Sequence, residues 1–212
     1  MRDSKTYNIM SGYDASTATF TAATTDIITD AAHGLSNGDP ITVSSSTTLP
    51  AGLSANTVYY VIEATTDTFK LSTTHIPNGK GTAVNITDTG TGTHTWVDAT
   101  LSRIINVEDF KTIKVQVNTT GTTALTYKFV GSYSENAPNP LATTSATNVF
   151  DFIEVIDQNT HTPSNGDTVI TADAAESRMF EYNVNGLKWA ALIVTSHTNG
   201  ILNADMFLQD NQ

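Results

Sequence analysis

The sequence contains no cysteine, and only 15% of its 212 residues are charged. Without cysteine, the chain has no disulfides, no thiolate zinc ligands and no cysteine nucleophile. Lysine and arginine number 10 against 21 acidic residues, which gives a formal net charge of −11. A chain this acidic repels a phosphate backbone, and its few basic residues are scattered. We therefore expect no nucleic-acid partner.

Long hydrophobic runs are also missing. The longest apolar run, WAALIV at 189–194, is far shorter than the roughly 20 residues that a membrane-spanning helix needs. The first residues, MRDSKTYNIM, are polar and lack the pattern of a secretory signal. No segment sustains the 3.6-residue apolar period of an amphipathic helix. We expect neither a membrane partner nor a helical core.

Threonine is abundant instead, with 38 residues, and this β-branched residue favours strands. Apolar residues alternate with polar ones in short segments about every ten residues. The predicted strands of the second half are TIKVQV (112–117), LTYKFV (125–130), VFDFIEVID (149–157), MFEYNVN (179–185), KWAALIVTS (188–196) and ILNADMFL (201–208). The turn sequences TTGTT, APNP, PSNGD, VNG and HTNG separate them. This spacing predicts an all-β protein whose main domain is a β-sandwich or jelly-roll-like fold.

The segment from about residue 20 to residue 96 has shorter strands, fewer charges and more threonine, serine and glycine. It looks self-contained, whereas the N-terminal TYNIMSGYDAST resembles a strand and turn of the larger domain. We therefore predict a small β-module at 20–96, inserted near the N-terminus. The β-sandwich domain is then discontinuous and consists of 1–19 and 97–212.

The tetrapeptide Ser-Asn-Gly-Asp occurs twice, at 36–39 and at 164–167. Asn-Gly favours a tight turn, and the following aspartate can accept hydrogen bonds from nearby backbone amides. A calcium loop is the alternative, but each copy carries one carboxylate where a hard cation needs several oxygen ligands. His33 precedes the first copy, with no nucleophile or second acid at a recognisable spacing. The pattern favours two structural turns.

The other chemically active residues form no recognisable motif. His75, His94, His161 and His197 are isolated, which argues against a transition-metal site. Asp151, Glu154 and Asp157 are typical of the polar face and end of a strand, although a glycosidase needs only two carboxylates. A sugar-binding groove or, more commonly, core packing would explain the aromatic residues Tyr59, Tyr60, Trp96 and Trp189. We predict no catalytic, cofactor-binding or metal-binding residues and no enzymatic activity.

Six short segments of the inserted module form a set, namely 33–35 (HGL), 38–39 (GD), 49–53 (LPAGL), 57–61 (TVYYV), 68–72 (TFKLS) and 90–92 (GTG). They lie within about 65 residues. This set resembles a small β-module found in structural proteins of tailed bacteriophages. The second half is similar, in general pattern only, to phage β-sandwich proteins of the head-decoration or virion-associated type. Neither family brings catalytic residues.

These resemblances imply a non-enzymatic virion structural protein, most simply a decoration (cement) protein that stabilises the capsid exterior. It would be made in the host cytoplasm and would bind the major capsid protein and copies of itself as a homotrimer. Modules of this type occur in head and tail proteins alike. A tail, baseplate or fibre component that binds host carbohydrate is therefore the alternative. A glycan-depolymerising enzyme is a second one.

Overall fold

The structure is a computed structural model, and it describes residues 4–74, 81–141 and 150–209. These residues form β-strands and no helix, so the predicted all-β class is confirmed. The strands are β1 (Ser4–Tyr13), β2 (Thr17–Ala22), β3 (Ile28–Thr29), β4 (Pro40–Ser45), β5 (Tyr59–Ile62), β6 (Thr68–Ser72), β7 (His94–Asp98), β8 (Ile105–Asn106), β9 (Thr112–Ser132), β10 (Asp151–Phe152), β11 (Val155–Asp157), β12 (Thr162–Ser164), β13 (Ile170–Ala172), β14 (Ser177–Asn183) and β15 (Trp189–Gln209).

The chain divides into two compact units. The first, here called the sandwich unit, consists of Met1–Asp14 and Thr100–Gln212, and the second, the barrel unit, is Ala15–Ala99. Thr17 and Val97, which the sequence-based boundaries assign to the larger domain, belong to the barrel unit because they pair with each other across β2 and β7. The independent folding of each unit remains a prediction.

Two 21-residue strands, β9 and β15, form the centre of the sandwich unit. They pair antiparallel along their whole length, from Ile113 with Leu208 to Ser132 with Trp189. At one end of this ribbon, β1 pairs with β15 and β14 pairs with β9. At the other end, β10 and β13 pair with β9, and β8 pairs with β15.

The sequences TTGTT and HTNG, which we predicted to be turns between separate strands, lie inside β9 and β15. The register of the ribbon shifts where these two segments face each other, between Val194 and Ile201. Gly121 and Gly200 have φ angles of 79° and 93°, which favour glycine. The turn residues therefore bend two strands that continue to pair, and neither strand reverses its direction.

The bend brings the two halves of the ribbon face to face. The Phe129 ring, from the second half of β9, lies with its centroid 5.3 Å from the rings of Phe180 and Tyr182. Both partners are on β14, which pairs with the first half of β9. Apolar side chains from the two layers fill the space between them, and this packing makes the unit a β-sandwich.

The predicted strand VFDFIEVID is interrupted. Val149 lies outside the described residues, and the remainder forms β10 and β11. β10 pairs with β9, whereas β11 pairs with β12 and β14, so the chain changes layer at Ile153 and Glu154. The alternation changes phase across this break, because Asp151 is exposed whereas Val155 and Asp157 are buried.

The barrel unit closes in the order β2-β3-β6-β5-β4-β7. Its core is apolar, and the largest side chains come from alternate strand positions. The core residues are Phe20, Ile28, Ile41, Val43, Leu53, Tyr59, Val61, Phe69, Leu71, Ile86 and Trp96. Among the described residues of both units, no helix has the length and hydropathy to cross a membrane.

Candidate functional site

The first Ser-Asn-Gly-Asp forms a closed turn. The Asp39 N–H donates to the Ser36 carbonyl at 3.1 Å, and the Asp39 carboxylate accepts from the Ser36 N–H at 2.7 Å. Gly38 has a φ of 98°, and the Asn37 side-chain oxygen accepts from the Ala64 N–H. Burial raises the pKa of the Asp39 carboxyl, although the Ser36 N–H opposes this effect. The Asn37 and Asp39 side chains are thus both used in holding this part of the chain.

His33 is part of the same local structure. Its Nδ1 accepts a hydrogen bond from the Leu35 N–H at 3.0 Å, and its ring packs edge-on against Phe69 at 4.9 Å. Because Nδ1 is an acceptor, the ring proton is on Nε2, which is buried and has no hydrogen-bond partner among the described residues. His33 positions the chain between β3 and β4.

The other segments of the phage-like motif also hold the barrel together. The Tyr59 hydroxyl accepts from the Ser54 N–H at 2.8 Å, and both Tyr59 and Trp96 are buried in the core. A Cβ at Gly52 would collide with the Asn85 carbonyl, and one at Gly90 with the Thr48 carbonyl. The residues of the motif are therefore explained by close backbone approaches and core contacts.

The remaining histidines contact different parts of the chain. His94 contacts the Ser45 hydroxyl and the Thr89 carbonyl, and His197 contacts the Gly200 carbonyl. His161 adopts a φ of 57° in the link between β11 and β12, and His75 lies outside the described residues. No group of three or more histidine or acidic residues with metal-binding geometry occurs within the described ranges.

The second Ser-Asn-Gly-Asp has different geometry. Here the Thr168 N–H donates to the Asn165 carbonyl at 2.9 Å, and the Asp167 N–H donates to the Asn165 side chain at 3.0 Å. Gly166 is required for another reason than a positive φ, since a Cβ there would collide with the Phe152 carbonyl. Identical tetrapeptides thus form turns that start at different residues.

A buried ion pair lies beside this second turn. Asp157, which the sequence pattern assigns to the polar face and end of a strand, does end β11 but is only 3% exposed. The Arg178 guanidinium, from β14, donates to the Asp157 carboxylate through Nε at 3.1 Å and through Nη2. Its Nη1 reaches the Thr171 carbonyl at 3.2 Å and the Glu176 carboxylate at 3.5 Å. One cation therefore links β11, β13 and β14.

The protonation of this cluster follows from its contacts. Burial raises the pKa of the Asp157 carboxyl, but hydrogen bonds from Arg178 and the Asn159 N–H outweigh it and hold the pKa below its usual value. Burial also raises the pKa of the Tyr127 phenol. The Tyr127 hydroxyl has no hydrogen-bond partner among the described residues. At neutral pH, Asp157 and Arg178 are both charged and Tyr127 is neutral.

The ion pair borders a surface cavity of about 450 Å³ in the sandwich unit. The residues that line it are Asp157, Thr162, Pro163, Ser164, Asn165, Thr168, Val169, Ile170, Thr171, Arg178 and Phe180. Sequence reasoning missed Arg178, because its partner is 21 residues earlier in the chain. The only available signal was a lone arginine directly before a predicted strand. Asp151 and Glu154 are exposed and do not line this cavity.

The barrel unit has an uncharged outer face on β2, β7 and β4. Thr17 and Thr42 flank Val97, and Thr19 and Ser44 flank Thr95. We call these six residues the hydroxyl face. Its members are exposed or half-buried, while the alternate residues of the same strands point into the core.

Comparison with known proteins gives little further information. No family model matches the chain, and no curated protein matches it. Among solved structures, the crystal structure of SPBc2 prophage-derived protein YomS aligns with 51% of this chain and 79% of its own. The aligned residues are 13% identical and the TM-score is 0.37. A likeness at this level establishes neither a shared fold nor a shared function.

Proposed function

We propose that the protein is a non-enzymatic structural component of a tailed-bacteriophage virion, and that it decorates the capsid exterior. The observation that carries this proposal is the barrel unit. The segments that resemble the phage module hold turns, close backbone approaches and core contacts of a closed barrel. A motif of this kind is typical of a structural module that occurs in different proteins. By the resemblance described above, the proteins that contain this module are virion proteins.

Charge supports the exterior location. The chain has a net charge of −11, and several of its basic side chains are paired with carboxylates, among them Lys70 with Glu63 and Lys188 with Glu135. A protein with this charge is repelled by packaged DNA and is favoured on the outer surface of a shell.

The hydroxyl face supports a role in protein contacts. It offers hydroxyl groups and one exposed valine without charge, so a partner can bury it without desolvating ions. A stable interface involves about 20–30 residues on each side, so six residues form only part of one. On this proposal the partners are the major capsid protein and further copies of the chain, as a homotrimer.

The test uses phage particles that lack the protein. Such particles should assemble but burst at a lower temperature or after osmotic shock, because a cement protein stabilises the assembled shell by binding to it alone. Purified protein added back should restore resistance and saturate at hundreds of copies per capsid. The proposal is wrong if particles without the protein are equally robust, or if only a few copies are present.

The same experiment separates the alternative location. A tail, baseplate or fibre component would leave capsid resistance unchanged, and its loss would prevent adsorption to cells. One structural observation favours sugar binding in that alternative, namely the polar cavity beside Asp157 and Arg178.

A further inference from the structure

The cavity beside the Asp157–Arg178 pair has no part in the function proposed above, and the chemistry of its lining restricts the ligands that it can bind. Its volume of about 450 Å³ lies within the usual range for small-molecule sites. The arginine is held by acceptors on β11, on β13 and in the loop before β14, so its position is fixed before any ligand arrives. A fixed polar group at the border of a cavity reduces the entropy lost on binding.

The two charged residues that line the cavity, Asp157 and Arg178, have opposite charges and are paired with each other. The Arg178 guanidinium faces two carboxylates, those of Asp157 and Glu176. An anionic ligand would have to compete with both carboxylates for the guanidinium. A cation would have to compete with Arg178 for Asp157, which also accepts from the Asn159 N–H. Neither sign of ionic ligand is therefore favoured.

The rest of the lining is neutral and of mixed character. Threonine, serine and asparagine residues supply groups that both donate and accept hydrogen bonds, namely Thr162, Ser164, Asn165, Thr168 and Thr171. Pro163 and the exposed Val169 supply small apolar surfaces between them. A ligand that matches must carry several hydroxyl groups and also an apolar face. Saccharides have both features.

We propose that this cavity binds a neutral saccharide through its hydroxyl and amide lining, beside the fixed Asp157–Arg178 pair. The proposal concerns the sandwich unit alone and does not depend on where in a virion the protein is located.

The test measures binding of glucose, galactose, N-acetylglucosamine and maltose to the full chain by ligand-observed NMR and calorimetry. Glucuronic acid and glucosamine serve as anionic and cationic comparators. We expect at least one neutral sugar to bind, and both charged comparators to bind more weakly than it does.

Two variants locate the binding. Thr168→Trp places a large side chain in the cavity from an exposed position, so it should abolish binding and leave the melting temperature unchanged. Ser164→Ala removes one hydroxyl group and should weaken binding about tenfold or less. Thr66→Trp, at an exposed position in the barrel unit, is the matched control for an added tryptophan and should bind sugar as the wild type does.

The outcomes are decisive in either direction. If no neutral sugar binds, if a charged comparator binds more tightly, or if Thr168→Trp binds as the wild type does, the proposal is wrong. Capsid binding by Thr168→Trp is measured in parallel. If Thr168→Trp loses sugar binding but still binds capsids, the two activities are separate. Either proposal can then fail without the other.

Discussion

Two buried tyrosines differ in what their hydroxyl groups contact. In the barrel unit, Tyr59 is 2% exposed and its hydroxyl accepts a hydrogen bond from the Ser54 N–H. In the sandwich unit, Tyr127 is fully buried and its hydroxyl has no partner among the described residues. A buried polar group without a partner costs free energy, whereas a paired one does not. The same substitution should therefore have opposite effects at the two positions.

We expect Tyr127→Phe to leave the free energy of unfolding unchanged or to raise it by about 1 kcal/mol, because it removes an unpaired hydroxyl. Tyr59→Phe should lower it by about 1 kcal/mol, because the Ser54 N–H then loses its acceptor. Urea denaturation of the two variants and the wild type measures both effects. A clear destabilisation by Tyr127→Phe would mean that its hydroxyl has a partner in solution.

The Asp157–Arg178 pair should make stability depend on pH. Asp157→Asn removes the closer of the guanidinium's two carboxylate partners and should lower the free energy of unfolding by about 2–3 kcal/mol at pH 7. The folded-state pKa of Asp157 is lowered. Its stabilising contribution is therefore present above the unfolded value, near 3.9, and is lost as the pH falls toward the folded value.

The measurement is the difference in unfolding free energy between wild type and Asp157→Asn from pH 7 down to pH 3. The difference should be constant above about pH 5 and should shrink below about pH 4. Asp151→Asn is the control, because Asp151 is exposed and such changes usually alter stability by less than about 0.5 kcal/mol. A difference that grows on acidification would contradict the assigned pairing.

At the scale of elements, the bend in the β9–β15 ribbon decides whether the larger unit can form a sandwich. Gly121 and Gly200 both have positive φ, but their surroundings differ. A Cβ at Gly121 would meet open space, whereas one at Gly200 would lie 2.8 Å from the Thr123 Cα. The first glycine is needed for its backbone angle, and the second is needed for angle and space together.

We expect Gly200→Ala to be clearly more destabilising than Gly121→Ala. The alanine at position 121 adds backbone strain of about 1–2 kcal/mol. The alanine at position 200 adds the same strain and a backbone collision that must displace β9, so the loss should exceed about 3 kcal/mol. Thermal melts of the two variants measure this difference. Equal losses would mean that the ribbon does not approach itself so closely at the bend.

At the scale of the whole molecule, the two units have separate cores. The barrel closes on itself, and the sandwich unit pairs its N-terminal strand β1 with β15 rather than with any strand of the barrel. The sandwich unit therefore needs both chain segments, 1–14 and 100–212, but none of the barrel strands for its hydrogen-bonded sheet.

We expect the sandwich unit to fold after Ala15–Ala99 is replaced by a Gly-Ser linker of about ten residues, because closing such a loop costs little free energy. Residues 15–99 alone should also fold, as a less stable barrel. Circular dichroism and cooperative urea denaturation measure both. If the linked sandwich is unfolded while a single cut at residue 99 gives two folded halves, the discontinuous arrangement is wrong.

The sequence by itself determined the all-β class and the burial of most apolar residues. Period-2 alternation reports which side chains share a face, as for Ile113, Val115 and Val117, all of which are buried in the core. Turn chemistry was equally informative where the chain does reverse, as at the VNG turn, where the Leu187 N–H bonds to the Val184 carbonyl and Gly186 has a φ of 87°. These signals are local, so a linear sequence carries them in full.

Only the tertiary structure decided whether a segment of turn composition reverses the chain and whether a polar residue is buried. TTGTT and HTNG have turn composition, yet they bend strands that stay paired, because the partner strand carries its own glycine at the same level of the ribbon. Asp157 is polar in sequence but buried in the fold, because Arg178 approaches it from a strand 21 residues later. Pairing between distant segments sets both outcomes. Neither the bend nor the cavity beside that ion pair has a local signature, because each depends on which strands become neighbours.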